Sequence, residues 1–105
     1  MTTSPSAGAA AVLRLNGELT IYRAAELKPL LLQALDSATQ LEIDLSEVIE
    51  IDTSGVQLLM ATKRRAQALN RELRLSGHSA PVVEVFELLD LAAFFGDPLI
   101  TTAVA

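Results

Sequence analysis

The feature that most constrains this chain is a change of period at residue 52. Leu41-Glu42-Ile43-Asp44-Leu45 alternates apolar and acidic residues, the pattern of a strand with one face buried and one in water. Asp52-Thr53-Ser54-Gly55 then breaks the alternation. A helix follows from about Ser54 to Asn70, with Leu58 or Leu59, Thr62, Ala66 and Leu69 on its inner face and its basic residues outward. A chain that passes from period 2 to period 3.6 in this way builds α/β units.

The same succession recurs on either side. Val12 to Gly17 reads as a strand, with Leu13 and Leu15 on one face and Arg14 and Asn16 on the other. Asn16-Gly17 is a tight-turn signal, which predicts that Glu18 to Ile21 pairs back as a short second strand. From about Tyr22 a helix places Leu27, Leu31, Ala34 and Leu35 on one side. Pro29 lacks a backbone donor, so a kink or a later start is expected. Leu73-Arg74-Leu75 is a further strand, ended by Ser76-Gly77. Ser79 can cap a third helix, with Pro81 in its first turn and Val82, Val85, Phe86 and Leu89 as its buried stripe. Gly96-Asp97-Pro98 makes a turn, and Leu99 to Thr101 reads as an edge strand. The order ββαβαβα predicts a small mixed β-sheet with helices packed on one face. A doubly wound nucleotide-binding sheet would need continuously apolar strands.

The 105 residues support one domain over 10–105, preceded by a disordered tail over 1–9 rich in Thr, Ser, Ala and Gly. There is no cysteine, hence no disulfide and no thiolate site. The start lacks a positive n-region, and no stretch approaches about 18 uninterrupted apolar residues. A cytoplasmic location without membrane insertion is therefore expected. A net charge of −5 argues against nucleic acid as a partner. The charges are segregated: Glu42, Asp44, Glu47, Glu50 and Asp52 precede Lys63, Arg64, Arg65, Arg71 and Arg74. They form either ordinary solvated faces or a two-signed docking surface.

No catalytic constellation is visible. His78 is the sole histidine, beside Gly77, and is expected in a surface loop. Asp44 and Asp52 lack ligand-spaced His or Cys, so no metal is expected, and the five scattered glycines form no phosphate-cradling loop, so no cofactor is expected. Tyr22, Phe86, Phe94 and Phe95 are too dispersed for base stacking. The segment that remains is Ile51 to Val56. Asp, Thr and Ser are all capping residues, and Gly55 permits a tight turn or a close approach. A phosphate on Thr53 or Ser54 would meet the free N–H groups and positive dipole end of a helix. The alternative is a capping cluster with no further role.

Three segments together resemble the STAS domain family of sulfate transporters and bacterial anti-sigma-factor antagonists. They are Asn16-Gly17-Glu18-Leu19 with Ala25-Glu26-Leu27, then Leu41 to Ser46 with Val48 to Gly55, then Pro81 to Leu89. The middle one, with its Asp-Leu-Ser and Asp-Thr-Ser-Gly, is the most specific, and the resemblance covers about residues 11 to 96. It implies a non-enzymatic protein-interaction switch in which a kinase-like partner phosphorylates the hydroxyl following Asp52, namely Thr53, with Ser54 as neighbour. It places partner contacts at Asp52, Thr53, Ser54, Gly55, Val56, Thr20 and Tyr22. Thr20 stands where many phosphorylated members carry Asp. Leu19 to Tyr22 instead looks like STAS proteins of chemotaxis gene clusters and the small subunits of lipid-transport ATPases. A constitutive adaptor without phosphorylation is therefore the alternative implied function. An open sheet edge is compatible with a dimer.

Overall fold

The computed structural model describes residues 10–96. Its elements are β1 (Ala10–Leu19), α1 (Ile21–Ser37), β2 (Gln40–Ile51), α2 (Thr53–Ala68), β3 (Glu72–Ser76), α3 (Ala80–Leu88) and α4 (Ala92–Phe95). The strands form one sheet in the order β1-β2-β3, and both pairings are parallel. Two crossovers that step in the same direction along a sheet and share the right-handed sense put their helices on the same face. The other face of the described sheet is accordingly polar: Arg14, Glu42, Asp44 and Arg74 lie there, and Arg14 pairs with Asp44 at 3.1 Å. This is the α/β layering expected from the alternating strands.

Two expectations need correction. The opening hairpin does not form, and the described pairings are not mixed. Gly17 has φ +79, but it uses that freedom at an irregularity in one continuous strand rather than in a turn. Glu18 and Leu19 run on to pair with Glu50 and Ile51. Arg23 from α1 clasps this point, donating from Nη1 to the carbonyls of Asn16 and, at 3.1 Å, Glu18. Pairing with β2 carries Leu19 into the core, where it is 1% exposed, and a hairpin would forfeit that burial. The tail over 1–9, the end of the Gly96-Asp97-Pro98 turn and the edge strand at Leu99 to Thr101 lie outside the described residues.

β2 is also longer than its alternating core. Its inward residues are Leu41, Ile43 and Leu45, then Val48 and Ile51, so the spacing changes from two to three. Each change coincides with a register shift against β1, where one extra residue of β2 is accommodated. Asp44 Oδ1 accepts the backbone N–H of Ser46 at 2.9 Å and holds the first of these.

The helices cover this strand. α1 begins at Ile21, earlier than Pro29 had suggested, and runs through that proline on its exposed side. Leu27, Leu31 and Leu35 are its buried row. It has no glycine at its end; Arg71 instead donates to the carbonyls of Leu35 at 2.9 Å and Ala38 at 2.8 Å. α2 buries Gly55, Val56, Leu59, Thr62 and Ala66, with Leu58 only half-buried. α3 buries Val82 and Phe86; Val85 is half-buried and Leu89 is exposed, so the expected stripe is narrower. Ser79 occupies the cap position of α3, but its hydroxyl makes no cap bond.

His78 is not on the surface. It is 1% exposed and meets the ring of Phe86 edge-on at 5.6 Å, while Phe86 stacks on Phe95 at 5.3 Å. The loop after β3 turns at Gly77, φ +62, and folds the imidazole under α3. No helix of the described residues is long and apolar enough to cross a membrane.

Candidate functional site

In a parallel sheet the segments leaving the carboxyl ends of the strands lead into helix N-termini, whose first amides need acceptors. Here β1 ends at Leu19 and β2 at Ile51, and α1 and α2 start beside one another at Ile21 and Thr53. Asp52 joins them. Its Oδ1 accepts the N–H of Gly55 at 3.0 Å, the cap of α2, and its Oδ2 accepts the N–H of Ile21 at 3.1 Å, the first amide of α1. One carboxylate thus serves two helix starts, each of which otherwise leaves amides without acceptors. Thr20, at the cap position of α1, makes no cap bond of its own; its hydroxyl faces Glu18 at 3.4 Å. The amides of Gly55 and Ile21 hold the Asp52 carboxyl below its ordinary pKa of 3.8.

Because Asp52 supplies the cap, Thr53 does not. Thr53 is the first residue of α2, and it is exposed. Ser54 is half-buried beside it. Ile21 and Tyr22, in the first turn of α1, are also exposed, Tyr22 to 88%. The structure brings Asp52, Thr53, Ser54 and Tyr22 to one rim. It closes off the other three expected contact residues: Thr20 is 3% exposed, and Gly55 and Val56 are buried. The reason for Gly55 is close approach: a Cβ there would lie 2.0 Å from the carbonyl oxygen of Leu19. These three can hold the rim in place but cannot reach a partner with their side chains.

The charge pattern divides less simply than the sequence suggested. Asp44 and Glu47 share Arg14, and Glu42 faces Arg74 at 4.0 Å. Burial pushes the Asp44 carboxyl up, but the amide and hydroxyl of Ser46 and the Arg14 guanidinium outweigh it and hold it below 3.8. Lys63 donates to the carbonyl of Leu73 at 2.9 Å and Arg71 to the end of α1, so neither belongs to an outward basic face. Among the described residues no cluster of three His, Asp or Glu side chains could hold a metal ion. The contributions of Leu19 and Ile21 were not visible in sequence, because both act through backbone atoms at long range.

Comparison with known proteins bears on the family and the fold. A family model described as "Mlab, STAS domain" matches residues 2–101. No curated protein matches the chain. Among solved structures the chain is similar to the anti-sigma factor antagonist SpoIIAA in its unphosphorylated form, with 24% identity and a TM-score of 0.67, over 89% of this chain and 79% of that one. It is likewise similar to the Bacillus cell fate determinant SpoIIAA in the phosphorylated form, with 23% identity and a TM-score of 0.63, over 89% and 82% of the two chains. At this identity the likeness extends to the fold.

Proposed function

The chain belongs to the STAS domain family, and from that premise we propose that it is a non-enzymatic, cytoplasmic protein-interaction switch controlled at Thr53. The observation that carries this reading is the exposed Thr53 at the head of α2, freed from capping by Asp52. The unmodified rim docks on a kinase-like partner, with Ile21 and Tyr22 supplying exposed apolar contact and Ser54 lying alongside. Thr20, Gly55 and Val56 support it from within.

A phosphate on Thr53 adds about −1.5 to −2 charges. It would stand beside Asp52, on a rim where Glu18 and Glu50 already face one another in register. Arg23 is committed to the carbonyls of Asn16 and Glu18 and to Glu26, so it is not at hand to neutralise the new charge. The charge is presented outward, and a closely fitted partner must desolvate it; docking is then lost. Similarity to an anti-sigma factor antagonist solved in unphosphorylated and phosphorylated forms supports control by phosphorylation. The test is to incubate the protein with its cognate kinase and ATP and locate the added phosphate by mass spectrometry. Modification confined to residues other than Thr53 and Ser54 would sink the reading.

A second reading is a constitutive adaptor that uses the same rim without phosphorylation. It is favoured by Thr20, a buried threonine where the resemblance leads one to expect an aspartate. Thr53→Glu disrupts docking under both readings. Thr53→Ala separates them: an adaptor is unaffected in cells, whereas a switch is locked in the binding form.

A further inference from the structure

The outer sides of α1 and α2 diverge into a groove lined by Ala24, Ala25 and Lys28 from α1 and by Ser54, Leu58 and Arg64 from α2. The chain has eight Lys and Arg residues, and the fold already employs most of them. Arg14 and Arg74 pair with carboxylates of β2. Arg23 clasps β1, and Lys63 and Arg71 hold backbone carbonyls. Among the described residues, the other three, Lys28, Arg64 and Arg65, meet no carboxylate or carbonyl; Arg64 touches only the face of the Phe94 ring, 5.4 Å from its centroid. Two of these three stand on opposite walls of the groove. They do so on a chain whose net charge is −5. Cations without a carboxylate partner, flanking an apolar groove on a chain of net negative charge, are complementary to one kind of ligand.

We propose that this groove seats a helix of the partner protein, apolar on the face that enters and acidic along both flanks, so that its carboxylates meet Lys28 and Arg64. The proposal rests on the binding role given above and adds the chemistry of the partner. Ser54 lies at the end of the groove nearest Thr53, so a phosphate there would set negative charge beside the seat of an acidic helix. Docking and modification would then be opposed by charge alone.

The test uses a fluorescein-labelled helical peptide with Leu and Ala on one face and Glu on both flanks, and a twin with Lys in place of every Glu. Anisotropy titrations against the full chain should give at least about tenfold tighter binding of the Glu peptide, as expected for two favourable pairs replaced by two repulsive ones. The double variant Lys28→Glu, Arg64→Glu should invert that preference, while Arg65→Glu should leave it within about twofold. All three side chains are exposed, so circular dichroism melts should stay within a few degrees of the parent, Arg64→Glu losing only its contact with the Phe94 ring. Equal binding of the two peptides, binding of neither, or an unchanged preference in the double variant overturns the proposal. Binding only to phosphatidylglycerol vesicles would overturn it in favour of a membrane. A second copy is the other competitor, because the end of α3 and its cap carry exposed Leu88 and Leu89 between Glu87 and Asp90. Light scattering that shows self-association abolished by the double variant, with no peptide preference, would reassign the groove to that copy. Failure here is distinct from failure of the switch: Thr53→Glu could still release a native partner that the double variant retains.

Discussion

Replacing Gly55 by alanine sets two effects of opposite sign against each other. Gly55 lies in the first turn of α2 with an ordinary helical backbone, so propensity alone favours the change by about 1 kcal/mol. Space forbids it. The new Cβ would lie 2.0 Å from the carbonyl oxygen of Leu19 and 2.8 Å from its carbon, both backbone atoms that cannot swing aside. To restore ordinary contact α2 must withdraw from β1 by more than about an ångström, which also pulls Gly55 from the Asp52 carboxylate. Forced overpacking costs about 1–3 kcal/mol, and a backbone obstacle belongs at the upper end. After the propensity gain, the net loss is about 2 kcal/mol. For a domain of this size that lowers Tm by about 8–16 °C. Thermal unfolding followed by circular dichroism at 222 nm reads this directly. An unchanged or raised Tm would refute the close approach of α2 to β1 and the account of the site built on it.

Other outcomes follow from the same structure. Phe86→Ala removes the ring between His78 and Phe95 and should cost about 3–5 kcal/mol, read as a lowered denaturant midpoint. Arg71→Ala leaves the carbonyls of Leu35 and Ala38 without their donor and should cost about 1–2 kcal/mol by the same assay. The carboxyl of Asp52 is depressed by folding, so its contribution to stability is present above pH 3.8 and is lost as pH falls through its lower folded pKa. Asp52→Asn should therefore unfold at a lower temperature at pH 7 and lose less stability than the parent between pH 4 and 2; parallel curves would contradict the double cap.

What the sequence disclosed was whatever is written locally. The alternation of Leu41, Ile43 and Leu45 and the helical rows of α1 and α2 needed no partner to be legible, and Asp52-Thr53-Ser54-Gly55 announced a helix start. What stayed hidden depends on contacts far apart in the chain. Asn16-Gly17 carries a turn signal that β2 overrides by offering Glu18 and Leu19 parallel partners some thirty residues away. His78 reads as a loop residue until α3 folds over it and Phe86 meets its ring. Which of the expected rim residues face outward was also unreadable, since Gly55 and Val56 come just after Thr53 and Ser54 yet turn into the core.

The shared carboxylate of Asp52 has a consequence for recognition. A loop that must be ordered on encounter charges its lost freedom to the complex. Here the two chain segments that flank Thr53 are already fastened to one another, so that cost is met when the domain folds. A partner should therefore find a stiff, ready-shaped edge and meet it nearly as one rigid body against another. Modification at such an edge changes what is displayed there, not how the backbone is disposed.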